Sequence, residues 1–165
     1  MKKNITIICL SNKYKKIVAK ELADSLEMFY ADINDIMEYN LINSEMLLSA
    51  GQQYFDENEE KTIRTVSDYD DTVLTLNLST LNKNNNLDII KKNSLIIYIR
   101  LGFETYSLLN KSENANALAE INQSVFEDRD ALIKSFADIV VENRQIVVSE
   151  TITQIMQEIK KYYEK

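Results

Sequence analysis

Three features of the sequence predict an α/β domain: a five-stranded, mainly parallel sheet flanked by helices in three layers. Strand-like and helix-like segments alternate along the chain, which favours crossover connections and parallel pairing. Residues 5–10 (ITIICL) and 94–100 (SLIIYIR) are short, nearly unbroken apolar runs, as expected of central strands covered on both faces. The segments between them carry apolar residues at helical spacing, with Lys and Glu at the intervening positions.

The first strand runs straight into a helix predicted over 15–27, where Ile17, Val18, Leu22 and Leu26 mark the apolar stripe. No glycine separates the two elements. A short strand is predicted at 28–31. Asp32 then starts a helix to about residue 38, with Asp35 three positions on in the manner of a capping box. Ser44 is placed to cap another short helix ending at Gly51, a natural glycine terminus, and a charged helix spans 52–65. TVLTL (72–76) predicts the third strand, 82–86 a polar loop, and 87–92 a short helix leading into the strand at 94–100. Gly102 opens a helix to 109, and NKSENAN (110–116) reads as a polar loop. Residues 117–135 read as helix, DIVVE (138–142) as the fifth strand, and Ser149 as the cap of a last helix ending near 163.

The 165 residues suffice for one domain that buries about two-thirds of its unfolded surface in a single core. No apolar run approaches the roughly 20 residues of a membrane span. The basic start is followed by an apolar stretch that stops at Leu10 without a small-residue cleavage site, so it reads as strand rather than signal peptide. Cys9 is the one cysteine, which fits the reducing cytoplasm as the expected location. A net charge of −7 disfavours nucleic acid and anionic membranes as partners. With no His and one Cys, imidazole bases and the usual zinc ligand sets are excluded, and no metal site is predicted. Acid–base chemistry would fall to carboxylates, Lys or Tyr.

Several segments together resemble shikimate kinase, a P-loop phosphotransferase of about this length. VAKELADSLEMFYADIN (18–34) is similar to that family's first helix and second strand, ending in its Asp-x-Asp motif. GQQYFDENE (51–59) resembles its Gly-Glu-x-x-Phe-Arg-x-x-Glu segment, and TVLTLNLST (72–80) falls where it has a strand followed by Gly-Gly-Gly. SLIIYI precedes its lid, and EDRDALIKSFADIVVEN (127–143) is similar to its Arg-x-Pro-Leu-Tyr-x-x-x-Ala-Asp end. The resemblance covers nearly the whole chain in order. It implies a P-loop kinase-like fold, a single domain over 1–165 and a lid remnant around 110–118.

The family's chemistry transfers unevenly. Its phosphate loop, Gly-x-x-Gly-x-Gly-Lys-Ser/Thr, aligns without a gap on residues 9–16, CLSNKYKK. Lys15 falls on the phosphate-binding lysine, which makes it the candidate nucleotide-binding residue. The three glycines are Cys9, Asn12 and Tyr14, and the magnesium-binding hydroxyl is Lys16. Those glycines let backbone N–H groups close around phosphate oxygens in conformations unfavourable for residues with a Cβ. Asp32 matches the first acid of Asp-x-Asp, the candidate catalytic residue, and the second acid is Asn34. The arginine after Phe55 is Asp56, the triple glycine is Asn77, Leu78 and Ser79, and residues 101–128 contain no lid arginine. Arg129 and Glu59 survive, and with Asn34 they form the candidate substrate-binding set.

Each of these residues also has a plainer reading: Lys15 as a solvated residue of the first helical turn, Asp32 as an N-cap, Glu59 as part of a charged helix face. Arg129 would pair with Glu127, Asp128 or Asp130 on the surface, and Cys9 would be a small core residue. The losses together predict a degenerate family member, a pseudokinase that needs no cofactor and acts as a binding or regulatory module for a small anion or a protein. All of them are hard to reconcile with an enzyme's typical acceleration of about 10⁶-fold or more. The alternative is a divergent active kinase that passes phosphate from ATP, with Mg²⁺, to a hydroxyl of a small carboxylic acid.

Overall fold

The computed structural model describes residues 2–83, 85–113 and 122–164. Its elements follow in the order β1 (Asn4–Ile8), α1 (Asn12–Ser25), β2 (Phe29–Asp32), α2 (Ile33–Tyr39), α3 (Ser44–Ala50), α4 (Gln52–Ser67) and β3 (Thr72–Thr75). They continue with α5 (Leu78–Leu81), α6 (Asn86–Asn93), β4 (Ser94–Leu101), α7 (Phe103–Glu113), α8 (Gln123–Phe136), β5 (Ile139–Asn143) and α9 (Val148–Tyr163). The five strands form one sheet in the order β2-β3-β1-β4-β5, and every neighbouring pair is parallel.

The unbroken apolar runs are explained by burial on both faces. Along β4, Leu95, Ile97 and Ile99 join a core with Val18 and Leu22 of α1 and Ile155 of α9. The alternate residues Ile96 and Tyr98 join the opposite core, with Ile33 of α2, Ile63 of α4 and Ile133 of α8. From Leu95 to Ile99 a strand residue on either parity therefore meets a helix layer, and the first partly exposed side chain is that of Arg100 near the strand's end. Among the described residues no helix is long and apolar enough to cross a membrane.

The predicted elements form with several shifts. Asn43, not Ser44, caps α3: its backbone is extended and its Oδ1 accepts the N–H groups of Glu45 and Met46 at 3.1 and 3.2 Å, while Ser44 is already helical. Ser149 likewise lies inside the first turn of α9, behind Val147, which offers no side-chain cap. Asp32 does cap α2, accepting the N–H of Asp35 at 2.9 Å. Gly51 ends α3 at φ +88°, a backbone hand that disfavours any residue with a Cβ. The short helix α5 occupies residues left without a predicted element between the third strand and the polar loop at 82–86. Residues 110–113 continue α7 rather than opening a loop. The rest of the predicted loop, the start of the helix expected at 117 and most of the lid remnant at 110–118 lie outside the described residues.

Candidate functional site

Parallel strands place all their carboxyl ends along one edge, and the connections diverge to either side of β1. Such a switch point opens a crevice where α/β proteins hold ligands. Here it is a cleft of about 390 Å³ walled by Cys9, Leu10 and Asn12 after β1, by Asn77 and Ser79 after β3, and by Arg129 from α8. Arg129 is exposed and, among the described residues, forms no ion pair; the surface pair expected from its acidic neighbours is not made. Asp130 turns inward instead, accepting from Tyr98 Oη at 2.8 Å, Arg100 Nε at 2.9 Å and Lys134 Nζ at 2.9 Å. Consecutive helical residues project about 100° apart, so burying Asp130 leaves Arg129 over the cleft. Burial raises the Asp130 carboxyl's pKa, and its three donors outweigh that, holding it below the ordinary value.

At the β1–α1 junction the backbone is extended at Ser11 (φ −93°, ψ 113°), whose hydroxyl caps α1. Among the described residues positive φ occurs at Glu27, Leu41, Gly51 and Asp71, and so at none from Cys9 to Lys16. The alternation of right- and left-handed residues that makes an anion nest is therefore missing there. Lys15 is not solvated but 1 % exposed. Its Nζ donates to the Leu76 carbonyl at 2.8 Å, to Asn12 Oδ1 at 2.8 Å and to Asn77 Oδ1 at 3.5 Å. Three acceptors match the three donors of an ammonium, and the side chain ties α1 to the end of β3. Tyr14 is also buried, pointing away from the cleft: its hydroxyl meets Thr151 Oγ1 at 2.8 Å and the Asn143 amide at 2.6 Å, which binds α1 to β5 and α9. Cys9 is buried at the end of β1.

At the end of β2, Asp32 is 4 % exposed and densely bonded. Its Oδ1 accepts the Asp35 N–H at 2.9 Å, and its Oδ2 accepts the Thr75 hydroxyl at 2.6 Å. The Tyr30 hydroxyl lies 3.1 Å from Thr75 Oγ1, and burial raises its pKa. Lys16 Nζ completes the group, 2.6 Å from Asp35 Oδ1 and 3.6 Å from Asp32 Oδ1. Asn34 sits nearby but faces backbone: its Oδ1 accepts the Asn77 N–H at 3.0 Å and fixes the turn after β3.

The magnesium implied by the resemblance does not fit this group. The position that should offer a hydroxyl ligand offers an ammonium already seated on the carboxylates. At about 4 Å, a dication and an ammonium repel by about 8 kcal/mol for an effective dielectric constant of about 20. Among the described residues no cluster of three or more His, Cys, Asp or Glu could hold a metal ion.

Glu59 lies apart from Asp32 and beside α5. It is 2 % exposed, its Oε2 accepts the Thr80 hydroxyl at 3.2 Å, and burial raises its pKa. Lys83 Nζ stands 3.6 Å from Glu59 Oε1, 3.3 Å from Asp56 Oδ1 and 5.2 Å above the Phe55 ring. The acid at 56 thus has a cation brought to it from the loop after α5, and Phe55, Asp56 and Glu59 all serve to hold that cation.

A family model described as shikimate kinase matches residues 14–160. The chain belongs to the shikimate kinase family. The match begins beyond most of the aligned phosphate loop. A curated shikimate kinase from Sulfurihydrogenibium sp. (strain YO3AOP1) is 23 % identical over 167 residues, covering 96 % of this chain and 99 % of the relative. Among solved structures, the shikimate kinase from Acinetobacter baumannii in complex with shikimate superposes with a TM-score of 0.81 at 17 % identity, covering 100 % of this chain and 97 % of the other. The shikimate kinase from Aquifex aeolicus vf5 gives 0.72 at 21 % identity, covering 96 % of each. These structural likenesses establish the P-loop kinase fold.

Of the residues singled out in the sequence, the fold brings Lys15 and Asn34 together at the turn after β3, with Arg129 across the cleft. Asp32 sits at the adjacent strand end and Glu59 farther along the same side. The sequence reading missed Thr75 and Lys16 as partners of Asp32, and Lys83 as partner of Glu59. Asp32 and Thr75 are 43 positions apart, Lys16 and Asp35 are 19 apart, and Lys83 and Asp56 are 27 apart, which explains why: such pairs have no local signature.

Proposed function

We propose that this shikimate kinase family member is a degenerate kinase, a binding or regulatory module of the cytoplasm that holds a small anion in the cleft under Arg129 and needs neither ATP nor magnesium to do so. One observation carries the reading: both lysines that would face phosphate and metal are committed to protein oxygens, Lys15 to Leu76, Asn12 and Asn77, and Lys16 to Asp35 and Asp32. The Arg129 guanidinium, which forms no ion pair among the described residues, is the cation left to meet a carboxylate or phosphate, and Asn12, Asn77 and Ser79 offer donors around it. A protein partner remains open to the same surface.

The second reading, an active kinase for a small carboxylic acid, is favoured by the near end-to-end correspondence with a curated shikimate kinase. In that reading Lys15 binds nucleotide, Asp32 serves the reacting hydroxyl, and Asn34, Glu59 and Arg129 serve the substrate. A coupled assay for ADP with ATP, Mg²⁺ and shikimate separates the two. The degenerate reading expects no turnover above background. Shikimate-dependent turnover at about 1–100 s⁻¹, the range usual for kinases, establishes the second reading instead.

A further inference from the structure

The carboxylates at the end of β2 have a cation of their own. Asp32 and Asp35 are three residues apart across the start of α2, and the capping bond from the Asp35 N–H to Asp32 Oδ1 fixes their spacing at 2.9 Å for that contact. Asp32 is also fixed from β3 by the Thr75 hydroxyl. Lys16, in the first turns of α1, reaches across to both acids, and its side chain keeps 36 % of its surface exposed while that of Asp32 keeps 2 %. The ammonium therefore covers the buried carboxylate from the solvent side. Burial opposes the charge on Lys16, but the Asp35 hydrogen bond and the two nearby carboxylates overcome it and hold the ammonium charged.

We propose that Lys16 is a resident replacement for a divalent cation, so that the charge a metal would supply at Asp32 is supplied permanently by the chain. The inference stands whether or not the neighbouring cleft binds an anion. An ammonium differs from a dication in three ways that bear on function. It neutralises without drawing oxygens into octahedral coordination, it cannot be removed by chelators, and it carries one charge rather than two. The site is consequently insensitive to metal supply, and a phosphorylated ligand arriving nearby meets no metal bridge.

Manganese, which shares magnesium's preference for oxygen ligands and is paramagnetic, is the probe. Titration of the purified chain with Mn²⁺, followed by water-proton relaxation, is expected to give no saturable binding below about 10 mM, and EDTA or 10 mM Mg²⁺ is expected to leave the melting temperature unchanged. Lys16→Ser removes the ammonium and restores a hydroxyl beside the two carboxylates; it is expected to bind Mn²⁺ at least about tenfold more tightly than the wild type. Lys16→Met removes the charge without adding a ligand and is expected to fall between the two. Saturable submillimolar Mn²⁺ binding by the wild type overturns the inference, as does a folded Lys16→Ser chain that binds no better than wild type. If Lys16→Ser does not fold, the wild-type titration and Lys16→Met carry the decision.

Discussion

Replacing Lys15 by methionine tests whether the lysine aligned with the family's phosphate-binding lysine serves as a structural tie. Methionine keeps the length and much of the volume of the side chain, so the change isolates the ammonium. The two short bonds, 2.8 Å each to the Leu76 carbonyl and Asn12 Oδ1, are to a charged donor, and such bonds contribute about 1.5–3 kcal/mol apiece. Their loss also strands the Leu76 carbonyl between α1 and β3. Against this, the wild type buries a charge at 1 % exposure, and removing that charge returns part of the stability. The expected net loss is about 3 kcal/mol. For a chain of 165 residues this lowers the melting temperature by about 6–12 °C. Differential scanning fluorimetry and urea unfolding measure it, with the exposed Lys13→Met as control. A Lys15→Met chain that melts within about 2 °C of wild type refutes the structural role, because a lysine waiting for phosphate leaves no protein oxygen stranded when it is removed.

Two further outcomes follow from buried polar contacts. Tyr14→Phe removes the hydroxyl shared by Thr151 and Asn143, and is expected to destabilise by about 1–2 kcal/mol, with a less than additive loss when combined with Asn143→Ala; strict additivity in urea unfolding counts against the network. Glu59 titrates above its ordinary value of 4.5 in the folded chain, chiefly through burial, so its contribution to stability is fully present below that ordinary value and is lost as pH rises through the raised one. Relative to wild type, Glu59→Gln should therefore gain stability between pH 4.5 and neutrality, and a stability difference that moves the other way across this window contradicts the assignment.

The parts of the fold that the sequence carried were those written in local pattern. The apolar runs at β1 and β4 read as central strands because each residue parity faces a helix layer, and Asp32 read as a cap because its partner, Asp35, is three residues away. The loss of loop glycines was equally local, and the absence of positive φ from Cys9 to Lys16 agrees with it. Side-chain partners were a different matter. Asn43 displaced Ser44 as a cap because two adjacent polar residues compete for one turn, and only backbone geometry selects between them.

By itself, the sequence determined the α/β class, a five-stranded and mainly parallel sheet, and the family, because hydrophobic period and motif order are properties of neighbours along the chain. Only the tertiary structure decided what the surviving charges do. Lys15 went inward to the end of β3, Lys16 settled on Asp32 and Asp35, Lys83 answered Asp56 and Glu59, and Arg129 was left facing the cleft. A flexible cation carries the same sequence signal whether it meets water, phosphate or a buried carbonyl. Its fate is set by which acceptors lie within hydrogen-bond reach once the strands have paired, and those acceptors come from segments distant in the chain.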